Sequence, residues 1–476
     1  MRVSNHYIIL TYPFKHSFEA GEKDRRWERL EDRWFQWWRR LGGEQVRKAV
    51  DDTYFFLPYI RKLLFPEACS QDLSKIIKLP LRKWALSLPK GSVLHLTYKP
   101  KRLSQISPLT LKFELEGYNF SAGFTFEWID LFLFPQGVGF LTFKTHLSDE
   151  ELEAEKLNDF LYYIRLIHPP SMGWKLPQLL MGNHPPIQTK DLVDLLLQGV
   201  VDEEAYTETE MGQVYGERFN LFIYACVDKS EIAYEEENLP PFGDDVDRLL
   251  YELSTCTNTS DPNYIPSLKG WERMKEENII SLWDNWRGMA LRDNLLFLGL
   301  RSKGFPFERL PEICENDYFH LWLLPLYQKM RLSLLAGELM RESGDLHKNL
   351  KKARRLWEEF IIFRNLYWFY ELNRKPQANF LFHAFQKGLE IAPLYEFVRS
   401  EVEDLQEFYE RKVERNTNLL LNFLTFIGLP IGILAELFSN VLIKSGSWRD
   451  FSLWSLLAYA SIGTIYLVYR RISKRR

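Results

Sequence analysis

The sequence predicts an α/β (α+β) cytoplasmic domain, then a long helical stalk, then two C-terminal transmembrane helices. Three observations predict it. Alternating and continuous apolar runs, broken by Gly, Pro and Asn, fill residues 92–147 and recur up to residue 300. From about Tyr318 onward apolar residues return at helical spacing almost without interruption. Two apolar segments, near residues 419–443 and 451–469, close the chain; as helices they would reach ~37 Å and ~28 Å, enough to cross a bilayer. The boundaries this implies are 1–317 for the α/β domain, 318–415 for the helical bundle and stalk, and 416–476 for the transmembrane hairpin with its basic tail.

With 476 residues the chain has room for two or three domains and a sizeable core. Apolar residues make up 46%, charged residues 26%, and the net charge is −3. This balance excludes a disordered chain and lacks the cationic excess of a nucleic-acid binder, so no direct nucleic-acid contact is expected. The four cysteines (Cys69, Cys226, Cys256, Cys314) form no Cys-x-x-Cys pair, which argues against a zinc knuckle or a disulfide framework and for reduced thiols. The apolar run from Tyr7 to Tyr12 is too short for a signal peptide and is closed by Pro13.

In chain order, "HYIILTYPF" reads as an opening strand. Trp27, Leu30, Trp34, Trp37 and Leu41 then recur at helical spacing across about residues 24–41, a helix expected to pack on the domain's own sheet. "SVLHLTYKP", "LTLKFELEGYNFSAGFTF" and "IDLFLFPQGVGFLTFKTHL" read as strands, with "PQGVG" as a hairpin turn. Ser148 and Glu151 have the spacing of a capping box that opens a helix. "RFNLFIYACV", "NIISLW" and "MALRDNLLFLGL" are further strand-like segments. Glu235, Glu236, Glu237, Asp244, Asp245 and Asp247 are dense enough to hold a divalent cation. Their spacing is not that of an EF-hand, and Pro240-Pro241 marks a loop, so a solvated acidic loop is the preferred reading. There is no Walker A motif, no His-Glu-x-x-His and no Gly-x-Ser-x-Gly, and the nine histidines are dispersed. No enzyme and no catalytic residue is expected.

The stalk, "LYEFVRSEVEDLQEFYERKVERNTN", carries Leu394, Val398, Val402, Leu405 and Tyr409 as its apolar stripe. Together with the first apolar segment it would make one helix of ~73 Å, with a bend at Pro430. Basic residues (Arg411, Lys412, Arg415; Arg470, Arg471, Lys474, Arg475, Arg476) flank the hairpin, while the turn has only Lys444 and Arg449. The positive-inside rule then puts both termini in the cytoplasm of a multi-pass plasma (inner) membrane protein, with lipid as a partner. At about 100° per residue Asn418, Asn422, Thr425, Glu436 and Asn440 share an arc of about 60°, with Leu429 and Gly432 between them. A carboxylate in hydrocarbon costs on the order of 3 kcal/mol, so such a stripe wants water or protein. It either packs on the second apolar helix, whose Ser455, Ser461 and Thr464 offer hydrogen bonds, or lines a water-filled pore among several copies.

The stalk, the two-helix C-terminal hairpin, "LYEFVRSEVEDLQEFYERKVERNTNLLLNFLTFIGLPIGILAELF" and the basic tail together resemble CorA-type divalent cation transporters over about residues 320–476. The resemblance implies a homopentamer that conducts cations through a pore lined by Asn418, Asn422, Thr425, Leu429, Gly432, Glu436 and Asn440. Leu429 would be an apolar constriction and Glu436 an outer acidic ring. No cofactor is implied beyond a divalent cation such as Mg²⁺ as permeant or regulatory ion. The chain lacks the family's Gly-Met-Asn and reads "LFSNVL" there. Two alternatives stay open. One is a signal-gated CorA-like membrane effector of a prokaryotic, for example CRISPR-linked, defence system, whose soluble domain takes a nucleotide-type ligand. The other is a non-conducting membrane-anchored scaffold.

Overall fold

A computed structural model describes residues 1–16, 26–41, 43–70, 72–115, 118–168, 175–182, 184–198, 200–201, 218–228, 242, 245–259, 261–301, 303–346, 350–428, 431–432 and 435–436. The chain divides into two compact units. One is Met1–Glu338 with Glu359–Val398, and the other is Leu339–Glu358 with Arg399–Arg476.

The first unit is a mixed α/β fold built on one large mixed sheet of thirteen strands among the described residues. These are β1 (Arg2–Lys15), β2 (Trp34–Gln36), β3 (Leu94–Tyr98), β4 (Leu109–Leu115), β5 (Tyr118–Leu133), β6 (Val138–Leu147) and β7 (Leu152–Glu153), followed by β8 (Gln178–Leu180), β9 (Ile187–Gln188), β10 (Asn220–Val227), β11 (Ile279–Trp283), β12 (Trp286–Ala290) and β13 (Asn294–Gly299). The spatial order is β11-β12-β13-β10-β1-β6-β5-β4-β8-β9, with β3 on β5, β2 on β3 and β7 on β1. β10 and β13 run parallel, and their neighbours in that order run antiparallel.

The central strands are apolar on both faces because both faces are covered. On one face Ile8, Leu10, Leu141, Phe143, Leu221 and Ile223 join a core with helices α1 (Arg26–Arg33), α2 (Ala154–Ile164), α3 (Thr189–Leu197) and α4 (Asp245–Thr255), through Leu30, Phe160, Val193 and Leu250 among others. On the other face Phe222 meets Phe319 and Trp322, and Phe134 stacks on Tyr327 with ring centres 4.5 Å apart. Those partners belong to α6 (Phe319–Leu346), which follows α5 (Leu268–Asn278). Burying each such aromatic contributes roughly 2 kcal/mol or more. After α6 come α7 (Leu350–Tyr367), α8 (Pro376–Gly388) and α9 (Ile391–Phe423).

A β-bulge decides which face of β5 looks where. The β5–β6 register runs Phe126↔Thr145 and then Trp128↔Lys144, so Glu127 is the extra residue. Phe124 and Phe126 point into the first core, and beyond the bulge Ile129, Leu131 and Leu133 do so. One inserted residue has inverted the alternation and turned Trp128, Asp130 and Phe132 toward α6. The β5–β6 connection is the "PQGVG" turn, where Gln136 and Gly137 both take positive φ (62° and 81°). At 137 an added Cβ would also lie 2.8 Å from the carbonyl oxygen of His16, so glycine is required twice over.

Several expectations are corrected. The helix expected over about residues 24–41 ends at Arg33, because Trp34–Gln36 is drawn into the sheet opposite Tyr98, Thr97 and Leu96. The helix expected to open at Ser148 starts at Ala154, since Leu152–Glu153 pairs with β1. Most importantly, no helix among the described residues is long and apolar enough to cross a membrane. That overturns the two-transmembrane-helix fold, the CorA-like hairpin and the membrane, transmembrane and channel assignments drawn from it. It equally overturns the multi-pass placement in a plasma membrane. The physical reason lies in α9, whose 33 residues are densely charged through Arg415 and become apolar only at Leu419. The regular helix then widens into a π-turn at Leu424–Gly428. Residues 437–476, including the second apolar segment, lie outside the described residues.

Candidate functional site

Between the sheet and α6 lies a polar layer in an otherwise apolar interface. Cross-strand register builds it: Thr97 of β3 lies opposite Asp130 of β5, Asp130 opposite Thr142 of β6, and Thr142 opposite Thr11 of β1. Directly opposed residues share a face, so the row faces α6. Asp130 is 2% exposed. Its carboxylate lies 3.0 Å from His95 Nε2 and 3.2 Å from Arg40 Nη1, and accepts the Thr97 hydroxyl. Arg40 arrives from the 3₁₀ turn Trp37–Arg40 that follows β2. Burial alone would raise the Asp130 pKa. Arg40, with the hydrogen bonds from His95 and Thr97, outweighs burial and holds it below the usual carboxylate range.

His95 sits in an aromatic sandwich, with Trp37 4.9 Å away on one side and Phe132 4.0 Å away on the other, both rings stacked. His320, from the first turn of α6, has its ring centre 6.0 Å from that of His95 and 5.0 Å from that of Phe65. Its Nδ1 lies 2.6 Å from the carbonyl oxygen of Asn316. Burial depresses both imidazoles, His320 to about 3 and His95 below its ordinary value despite Asp130. Both rings are therefore neutral near pH 7. A carboxylate and a peptide oxygen can only accept, so His95 carries its hydrogen on Nε2 and His320 on Nδ1.

A second network adjoins the first. Lys144 Nζ is 2.7 Å from both Glu127 Oε2 and Glu315 Oε2, and Trp128 Nε1 donates to Glu315 at 3.0 Å. The Arg40 guanidinium lies over the Trp128 ring, 5.3 Å from its centre, linking the two networks. Glu315 belongs to a π-turn, Cys314–Tyr318, immediately before α6; such widened turns often sit at functional positions.

No family model matches the chain, and no curated protein does.

The residues singled out from sequence fall elsewhere. Asn418 and Asn422 are exposed on α9, and Thr425 lies in the following π-turn, where it donates to the Leu421 carbonyl at 2.8 Å. Gly432 and Glu436 are helical and exposed, whereas Leu429 and Asn440 lie outside the described residues. Glu235, Glu236, Glu237 and Asp244 are also outside them. Asp245 and Asp247 occupy the first turn of α4, and Asp247 is buried with Lys275 Nζ and Arg287 Nη1 each at 2.6 Å. That carboxylate holds two cationic side chains. Among the described residues no group of three or more His, Cys, Asp or Glu is placed to hold a metal ion.

Sequence reading passed over Arg40, His95, Asp130, Lys144 and Glu315, and took His320 simply as a helix residue, which it is. Their signal was present: Asp130 and Lys144 interrupt the apolar runs "IDLFLF" and "GFLTFK". A charge in the middle of a buried strand requires a partner.

Proposed function

We propose that the chain is a non-enzymatic scaffold that assembles with copies of itself through the end of α9. The observation that carries this reading is the exposure of Leu419, Leu420, Leu421, Phe423 and Leu424, which are 45% to 61% exposed. At about 100° per residue these five positions cover a continuous arc of about 200° around the helix. An exposed apolar face this broad, beside a narrow polar strip, is one that is normally covered. The occupant is a second copy, because Asn418 and Asn422 sit one turn apart on the same face. A primary amide both donates and accepts, so an asparagine stripe pairs with an identical stripe and fixes its register. The homo-oligomer is the part of the CorA resemblance that needs no spanning helix. Ion conduction through a membrane pore is not carried forward.

The test is the native mass of the full chain beside that of the double substitution Leu420→Lys, Leu424→Lys. An oligomer that dissociates in the variant, with an unchanged far-ultraviolet spectrum, is the expected result. A monomer at micromolar concentration overturns the reading, as does a monomer that floats with lipid vesicles.

A further inference from the structure

We infer that His95 and His320 form a two-coordinate site for a monovalent closed-shell cation of the copper(I) type, seated between β3 and α6. The inference does not depend on the assembly proposed above. His95 Nδ1 and His320 Nε2 are buried and have no hydrogen-bond partner among the described residues. The opposite nitrogen of each ring faces an obligate acceptor, the Asp130 carboxylate or the Asn316 carbonyl, so it holds the hydrogen of the neutral ring and leaves these two atoms as bare lone pairs. Two lone pairs cannot satisfy each other, so a group that satisfies both must be a donor or a Lewis acid.

The outer partners match those of metal-bound histidines, whose remaining ring N–H is typically given to a carboxylate or a backbone carbonyl. His95 gives its own to Asp130, 3.0 Å away, and His320 gives its own to the Asn316 carbonyl, 2.6 Å away. The spacing fits as well. A metal bonded at ~2 Å to a nitrogen of each ring lies roughly 3 Å from each ring centre, and the centres are 6.0 Å apart.

Ligand number selects the ion. Structural zinc takes four ligands, and no third His, Cys, Asp or Glu joins these two among the described residues. Copper(I) accepts two imidazoles in a nearly linear arrangement. Charge points the same way: Asp130 is already paired with Arg40, so the ion's charge is uncompensated, and a single charge is less costly to bury than two. Trp37, Phe65 and Phe132 wall the site and keep the small cation from water.

The experiment titrates the full chain anaerobically with copper(I) against a chromophoric chelator. A Cys69→Ser background removes the exposed thiol. One equivalent bound per chain, weakened at least 100-fold by either His95→Phe or His320→Phe, is expected. X-ray absorption of the loaded, otherwise unaltered chain is expected to show two nitrogen neighbours with imidazole outer shells, a readout that stands even if a variant fails to fold. Sulfur neighbours, no binding, or binding unaffected by both folded variants would overturn the site. So would an experimental structure of the copper-treated chain with a water between the rings.

Discussion

Asp130 is the residue on which the polar layer depends. It is buried and receives Arg40, His95 and Thr97 together. Asp130→Asn removes the charge but not the shape and leaves the guanidinium without its counter-ion. Breaking such a buried pair costs about 3 kcal/mol or more, so the urea midpoint should drop with little change in m-value. An unchanged midpoint would show that Arg40 relocates to water without cost. Glu67 supplies the pH prediction. It is buried against the Trp84 indole N–H, 3.0 Å away, and burial pushes it up to about 7, against the hydrogen bonds it accepts. The unfolded chain releases that proton near pH 4.3. Between about 4.3 and about 7 the folded state therefore binds more protons, and stability falls as pH rises. His320 acts in the opposite sense: depressed to about 3, it makes stability fall as pH drops below about 6.5. The difference in unfolding free energy between the unaltered chain and Glu67→Gln isolates the glutamate. It should slope between pH 4.3 and 7 and be flat above, and a flat difference throughout would place Glu67 at an ordinary pKa.

The decisive element is β5, and the decisive position within it is the bulge at Glu127. Side chains on a strand alternate with a period of two, so removing this one residue would exchange the faces of everything on one side of it. Deleting Glu127 should turn Trp128, Asp130 and Phe132 into the first core and Ile129 and Leu131 toward α6. We expect loss of the cooperative thermal transition, whereas Glu127→Ala, which keeps the count, should melt cooperatively. A cooperative transition in the deletion would mean that the register slips to absorb it. This also explains why the polar layer was not read from sequence. Apolar alternation in "NFSAGFTFEWIDLFLF" is legible, but the point at which its phase changes is set by pairing with β6. The same holds at Trp34–Gln36, where helical spacing of tryptophans was overridden by hydrogen bonds to β3.

At the scale of the whole molecule, the apolar end of α9 makes stability a function of concentration if copies cover it. An assembly that binds only folded chains raises the melting temperature as protein concentration rises. A 100-fold dilution should therefore lower it by several degrees, and an unchanged value would count against self-association. The sequence by itself determined the strand-rich first part, the long helices after Tyr318 and the absence of a familiar catalytic motif. Each of these is written in periodicities and spacings only a few residues long. It also showed an apolar run after Leu419, but length and apolarity added up along a sequence describe a span only when one regular helix carries them all. In the structure α9 is charged up to that point and widens into a π-turn five residues after it. Only the tertiary structure decided that Arg40, His95, Asp130, Glu315 and His320 meet. They come from a 3₁₀ turn, two strands, a π-turn and a helix up to 280 positions apart, and the register that joins them is a property of the folded sheet.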